Sequence, residues 1–251
     1  MAILAVVAGL VILVKGGDWL LQSAVSLSLK LQIPKIVIGM TVVSFATSMP
    51  ELIVSVQSAL SGHSDLAFGN VLGSNIANIA FVLAVVVIIA PINVSKSFYK
   101  TDFPMMIFAT ALFYVFVAFD SKLESYEGAI LFSILILFLF YLIKIRKKEE
   151  SEDDLEEDSI SSLTSFYYLL IGGFGLWLGS ETLVKGAVAL AYDFGVSERI
   201  ISISIISVGT SIPELSASIV GIIRKQKAIS LGNLIGSNIF NILAVMGITS
   251  M

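Results

Sequence analysis

Two glutamates stand inside apolar runs, each at the end of the same short motif: Thr47-Ser48-Met49-Pro50-Glu51 and Thr210-Ser211-Ile212-Pro213-Glu214. A Glu about 15 residues into a helix that rises about 1.5 Å per residue reaches the centre of a bilayer. An ionised carboxylate there is costly unless paired, and no intramembrane Arg lies nearby in sequence to pair it. Two such carboxylates call for a cation. The proline adds to the site: it lacks an N–H and its ring clashes with the preceding turn. The backbone is expected to open just before it, freeing carbonyls around Ser44 to Thr47 and Ser207 to Thr210. Free carbonyls at membrane depth are tolerated where they line a site or cavity. Carboxylates, carbonyls and hydroxyls make an all-oxygen shell, which suits hard ions such as Ca²⁺ and Na⁺ rather than zinc or copper. The structural alternative for Glu51 and Glu214 is a pair of protonated, purely packing side chains.

A second motif accompanies the first: Gly69-Asn70, Gly73-Ser74-Asn75 and Asn78, matched by Gly232-Asn233, Gly236-Ser237-Asn238 and Asn241. Ser74 and Asn78 are four residues apart and share one helix face, as do Ser237 and Asn241. Their oxygens could complete a coordination shell. Small polar residues at this spacing also serve as glue where helices cross closely, which is the competing reading.

The elements that must carry these residues are membrane helices. Eight segments, at 2–29, 35–60, 66–90, 102–119, 125–145, 164–191, 197–223 and 229–251, are apolar enough and of a length to span about 30 Å of hydrocarbon. The first lacks a basic start and runs on past Trp19, so it reads as a retained helix rather than a signal peptide. A shift of 163 residues lays the chain on itself without gaps, with fifteen identities between positions 44 and 79 and their partners. The same shift pairs Gly16 with Gly179 and Asp18 with Glu181. Five helices separate the two starts, an odd number, so the second copy is inverted. The expected organisation is a first repeat over 1–146 with helices one to five, an acidic cytoplasmic linker over 147–163, and a second repeat over 164–251 with helices six to eight. Inverted repeats with a midplane site are the architecture of many secondary transporters.

Loop charge orients the chain. With the N-terminus outside, the inner loops hold Lys30, Lys35, Lys96, Lys100, Lys144, Arg146, Lys147, Lys148, Arg224, Lys225 and Lys227, and the outer loops only Lys122 and Arg199. Lys15 and Lys185 fall within helices and are expected to snorkel or pair. Asp18 and Glu181 are expected to pair with Lys15 or Lys185 or to cap a packing contact, a transport role being the alternative. His63 reads as a surface residue. Trp19 and Trp177 read as lipid-facing or interfacial.

Composition agrees: 57% of residues are hydrophobic, only 14% are charged, and mean hydropathy is +0.96. The net charge of −4 comes mostly from one run, Glu149 to Asp158, which has no EF-hand spacing. Absence of cysteine removes disulfide and thiolate chemistry. No nucleotide loop, nucleophile triad or nucleic-acid patch occurs, so neither an enzyme nor an ATP-driven pump is expected, and no cofactor, nucleotide or nucleic-acid partner. The expected partners are a lipid bilayer, here the cell membrane, and the ions themselves.

The paired Thr-Ser-x-Pro-Glu and Gly-Ser-Asn-Ile segments resemble the two α-repeats of the sodium/calcium exchanger family, within the cation/calcium antiporter superfamily. The resemblance implies an all-α fold of inverted five-helix repeats and exchange of Ca²⁺ for Na⁺ by alternating access. It implies that Glu51 and Glu214 bind Ca²⁺ and share Na⁺, and that Thr47, Ser48, Ser74, Thr210, Ser211 and Ser237 serve either ion. Ser44 and Ser207 would offer carbonyls, and Asn78 and Asn241 would flank the central position. Some relatives have Asp where this chain has Asn241, so the two-carboxylate site leans against potassium dependence. The family has ten helices; about eight are present here, and the chain is expected to be a fragment or truncated product. Alternatives are a Ca²⁺/H⁺ antiporter of the same superfamily, or a non-transporting membrane subunit.

Overall fold

A computed structural model describes residues 1–118, 122–144, 160–197 and 209–251. The chain is an all-helical membrane protein: the described residues form α1 (Ala2–Leu31), α2 (Lys35–Thr47), α3 (Met49–Leu60), α4 (Ser64–Ile89), α5 (Phe98–Val117), α6 (Ser125–Lys144), α7 (Ser162–Asp193), α8 (Ile212–Ile223) and α9 (Lys227–Thr249). Among them six helices are long and apolar enough to cross a membrane, and the bent pair α2–α3 passes the same test when taken as one broken span. The acidic stretch of the linker, Arg199 and Ser207 lie outside the described residues.

Local chemistry sets the boundaries. The turn after α1 passes through Gln32 at φ 54°, where Ile33 N–H donates to the Ser28 carbonyl at 3.2 Å, and Pro34 then starts the next helix. Ser161 caps α7 by accepting the Thr164 N–H at 3.1 Å. The linker side of α7 thus begins two residues earlier than the apolar pattern suggests.

The packing follows the repeats. α1 and α7 lie against each other along their length through glycines: a Cβ on Gly16 would stand 2.8 Å from Leu176 N, and one on Gly179 2.8 Å from Leu13 N. Only glycine allows that backbone approach. Near the start of α7, Ser23 Oγ donates to the Ser165 carbonyl at 2.7 Å and Ser165 Oγ to Ser26 Oγ at 2.9 Å. α9 is buried almost throughout, with α5 and α6 of the first half laid over it. α4, its counterpart, leaves Leu66, Ile76 and Ile88 exposed. The core around α9, with Ile239, Leu243 and Val245, is the plate on which the polar centre sits.

Candidate cation site

The site is built at two matched helix breaks. Ser48 sits at φ −89°, ψ 5° and Ser211 at φ −88°, ψ 4°, both off helical geometry, and α2 and α3 meet at 46°. Pro50 has no N–H for the Ala46 carbonyl, nor Pro213 for that of Gly209. Ser180 Oγ takes up the Gly209 carbonyl at 3.0 Å. The expected opening is therefore narrower than the sequence suggested. The Ser44 carbonyl accepts the Ser48 N–H at 2.9 Å; Thr47 Oγ1 lies 3.3 Å from it but has a single proton, which the Asn233 Oδ1 at 3.0 Å competes for. Three further irregularities cluster here. Gly39–Val43, Asn78–Val82 and Asn241–Met246 are π-helical, and the last two begin at the matched asparagines. Such widened turns recur at functional sites because they release carbonyls and rotate side chains.

The breaks bring the motif side chains of the two halves together. Glu51, Glu214, Thr47, Ser48, Ser44, Ser237 and Asn241 are fully buried, and Ser74, Asn78 and Ser211 are 1% exposed. Thr210 is half-buried. Contacts cross between repeats: Ser48 Oγ donates to Glu214 Oε1 at 3.1 Å, Thr47 Oγ1 lies 3.3 Å from Ser237 Oγ, and Asn241 Nδ2 donates to Ser74 Oγ at 3.0 Å.

What the site leaves unsatisfied is its most informative property. Both Glu51 oxygens, Glu214 Oε2, Ser211 Oγ, Asn78 Oδ1 and Asn241 Oδ1 are buried without a hydrogen-bond partner among the described residues. Buried polar atoms are nearly always satisfied, and a bare carboxylate is the costliest exception. These six oxygens are of the carboxylate, hydroxyl and amide types that a hard cation takes as ligands. Among the described residues no third Asp, Glu or His joins the two glutamates.

Residues outside the expected ligand set hold the glutamates in place. Asn70 Nδ2 donates to the Glu51 carbonyl at 3.2 Å and to Ser55 Oγ at 2.9 Å. Asn233 Nδ2 repeats this with the Glu214 carbonyl at 3.4 Å and Ser218 Oγ at 3.1 Å, while its Oδ1 accepts Thr47 Oγ1 at 3.0 Å. The signal for these buttresses was in the sequence: Asn70/Asn233 and Ser55/Ser218 are identities under the 163-residue shift.

Comparison with known proteins places this geometry. The family model for the sodium/calcium exchanger protein matches residues 1–144 and 164–251. The chain belongs to the sodium/calcium exchanger family. The exchanger is 39% identical to the candidate antiporter CaxA of Alkalimonas amylolytica, over 98% of this chain and 79% of that one. It is 29% identical to the sodium/calcium exchanger MaX1 of Methanosarcina acetivorans, over 99% of this chain and 82% of that one. A solved structure of the sodium-calcium exchanger NCX_Mj superposes with a TM-score of 0.85 at 28% identity, covering 99% of this chain and 81% of the other. The fold is accordingly that of an inverted-repeat membrane antiporter.

Two further acids of the helices, Asp18 and Glu181, make ion pairs of their own. Glu181 pairs with Lys185 at 2.8 Å on its own helix, one of the expected arrangements. Asp18 does not pair with either lysine: Arg224, beyond α8, reaches it at 2.7 Å. Arg224 follows the last residues of α8, and its long side chain returns along an apolar cleft of about 490 Å³ between α1 and α8. Sequence distance hid this partner.

Proposed function

We propose that this exchanger moves Ca²⁺ against Na⁺ across the cell membrane by alternating access at one site near the bilayer midplane. The observation that carries the reading is the set of buried, unpartnered oxygens on Glu51, Glu214, Ser211, Asn78 and Asn241. Thr47, Ser48, Ser74, Thr210 and Ser237 supply further hydroxyls, Ser44 a carbonyl, and Ser207 its counterpart in the second half. The names of MaX1 and NCX_Mj, both sodium/calcium exchangers, support the choice of ions. Two carboxylates balance one Ca²⁺ or a pair of Na⁺, and either load neutralises the charge that attracts the other. A site left with bare carboxylates is expensive to expose to low dielectric, so only loaded forms change sides cheaply. That competition couples the two fluxes.

The halves are assigned as 1–146 and 164–251, joined by the linker 147–163 on the cytoplasmic side, with the N-terminus outside. The excess of Lys and Arg in the inner loops supports this orientation. The test is ⁴⁵Ca²⁺ uptake into proteoliposomes under an imposed Na⁺ gradient. Uptake should follow the Na⁺ gradient, and Glu51→Gln and Glu214→Gln should abolish it while the protein still inserts. Uptake driven by a pH gradient in the absence of Na⁺ would replace Na⁺ by H⁺ as counter-ion. Normal Na⁺-driven uptake in both variants would overturn the site.

A further inference from the structure

Four asparagines, two from each half, meet where α4 faces α9. Asn78 Nδ2 donates to Asn238 Oδ1 at 3.3 Å, and Asn241 Nδ2 donates to Asn75 Oδ1 at 3.1 Å. The 163-residue shift turns one bond into the other. Asn78 and Asn241 belong to the expected ligand set; Asn75 and Asn238 do not.

Each chain of amides ends on an atom that can only accept. Asn75 Nδ2 donates to the backbone carbonyl of Asn238 at 3.2 Å. Asn238 Nδ2 faces the thioether sulfur of Met106 at 3.8 Å. An amide has one donating end and one accepting end. With the donating end of Asn75 held by a carbonyl, its oxygen is what Asn241 meets. Asn241 must then turn its NH₂ toward α4, where Ser74 Oγ also accepts it at 3.0 Å. Its oxygen is left on the other side. The same logic runs from Met106 through Asn238 to Asn78. In both cases the remaining atom, Asn241 Oδ1 or Asn78 Oδ1, is buried and has no partner among the described residues.

We propose that Asn75 and Asn238 are positioning residues that fix the amide polarity of Asn241 and Asn78, so that a cation entering the site meets two carbonyl oxygens and no amide nitrogen. The inference rests on the cation-site reading. It adds that ion selectivity over a merely polar pocket is enforced from one residue further out. A reversed amide would put a partly positive NH₂ against the cation, turning an attraction into a repulsion. The bonds cross the repeat interface, so each half sets the polarity of the other half's ligand.

The test uses the full chain purified in detergent and Ca²⁺ alone as probe, with affinity read from direct ⁴⁵Ca²⁺ binding and from the Ca²⁺-dependent rise in melting temperature. Asn75→Leu is close in size and keeps neither end of the amide. It should weaken Ca²⁺ roughly 10–100-fold, the usual effect of removing a group that orients a metal ligand. The same substitution is then made beside Asn241→Asp. An aspartate presents oxygen whichever way it turns and has no polarity to be set, so there Asn75→Leu should change affinity by no more than about twofold. Asn238→Leu paired with Asn78→Asp gives an independent arm, should either single variant fail to fold. Equal losses in both backgrounds would mean that Asn75 and Asn238 only pack, and no loss in either would mean that they do nothing for the ion; both results overturn the proposal. Glu214→Gln separates this from the underlying reading. If Glu214→Gln binds Ca²⁺ like the parent, the cation site itself is wrong. If it loses Ca²⁺ while Asn75→Leu does not, only the polarity device is wrong.

Discussion

A single methyl group at Gly236 tests whether helix crossing sets the site. A Cβ built on Gly236 would lie 2.5 Å from Met40 Cα, 2.7 Å from the Met40 carbonyl oxygen and 2.8 Å from Ser44 Oγ. Two of these are backbone atoms of α2, so the methyl cannot be absorbed by a rotamer change; α2 and α9 must part by about 1 Å to restore ordinary van der Waals spacing. They would part where Thr47 meets Asn233 at 3.0 Å and Ser237 at 3.3 Å. Overpacking costs about 1–3 kcal/mol, and each of two lost hydrogen bonds about 0.5–1.5 kcal/mol. Together Gly236→Ala should destabilise by about 2–6 kcal/mol, a fall in melting temperature of at least about 4 °C for a chain of this size. Gly173→Ala is the control. Its Cβ would meet only Ala46 Cβ at 3.5 Å, beside an apolar cavity of about 850 Å³, so it should melt at or slightly above the parent. Thermal unfolding in detergent with and without Ca²⁺ reads both effects. The reasoning fails if Gly236→Ala melts with the parent and keeps its Ca²⁺ response, or if Gly173→Ala is as damaging.

Three further outcomes follow from the geometry. Asn233→Ala strands Thr47 and Ser218 in a site that is 1% exposed and should cost about 2–4 kcal/mol, whereas half-buried Asn70, with two bonds, should cost about half that when replaced by Ala; reversed ordering in the same melting assay would contradict the burial argument. The Asp18–Arg224 pair is 17% and 58% exposed, and a double-mutant cycle of Asp18→Asn with Arg224→Gln should show about 0.5–1 kcal/mol of coupling; a cycle with no coupling would contradict the pairing. Ca²⁺ at about 100 times its dissociation constant should add about 2.7 kcal/mol of stability that chelation removes, and Glu51→Gln should abolish that difference.

How far the sequence carried depended on whether a feature was local or relational. Helices declared themselves because each long apolar run had to satisfy its own backbone in lipid, and the breaks at Ser48 and Ser211 were legible because a proline two residues on cannot donate. Glu51 and Glu214 stood out by charge in an apolar setting, and the internal shift told which residues of the two halves are equivalent. What stayed hidden was chosen by tertiary geometry. The fate of the Ser44 carbonyl depended on where Thr47 turned, and the partner of Asp18 on a side chain returning from beyond α8. The roles of Asn75 and Asn238 depended on which end of an amide faced which helix, which a one-letter code does not record.

The two halves are alike in one layer and unlike in another, and that division bears on how a single site could serve two sides of a membrane. The outer layer is symmetric: Asn70 and Asn233 hold the two Glu carbonyls the same way, and Asn78–Asn238 mirrors Asn241–Asn75. The inner layer is not. Ser48 donates to Glu214, but the equivalent Ser211 does not donate to Glu51, and both partners of that missing bond are without one among the described residues. Sequence-identical motifs thus stand in unequal hydrogen-bonding states in one structure. A ligand can shift a conformational equilibrium only by as much as it interacts differently with the two states. On the proposed reading, the groups that differ between halves include Ser48, Ser211 and the two glutamates, atoms that an ion would touch. On that reading, ion occupancy would act directly on which half is bonded, without a relay through the apolar core.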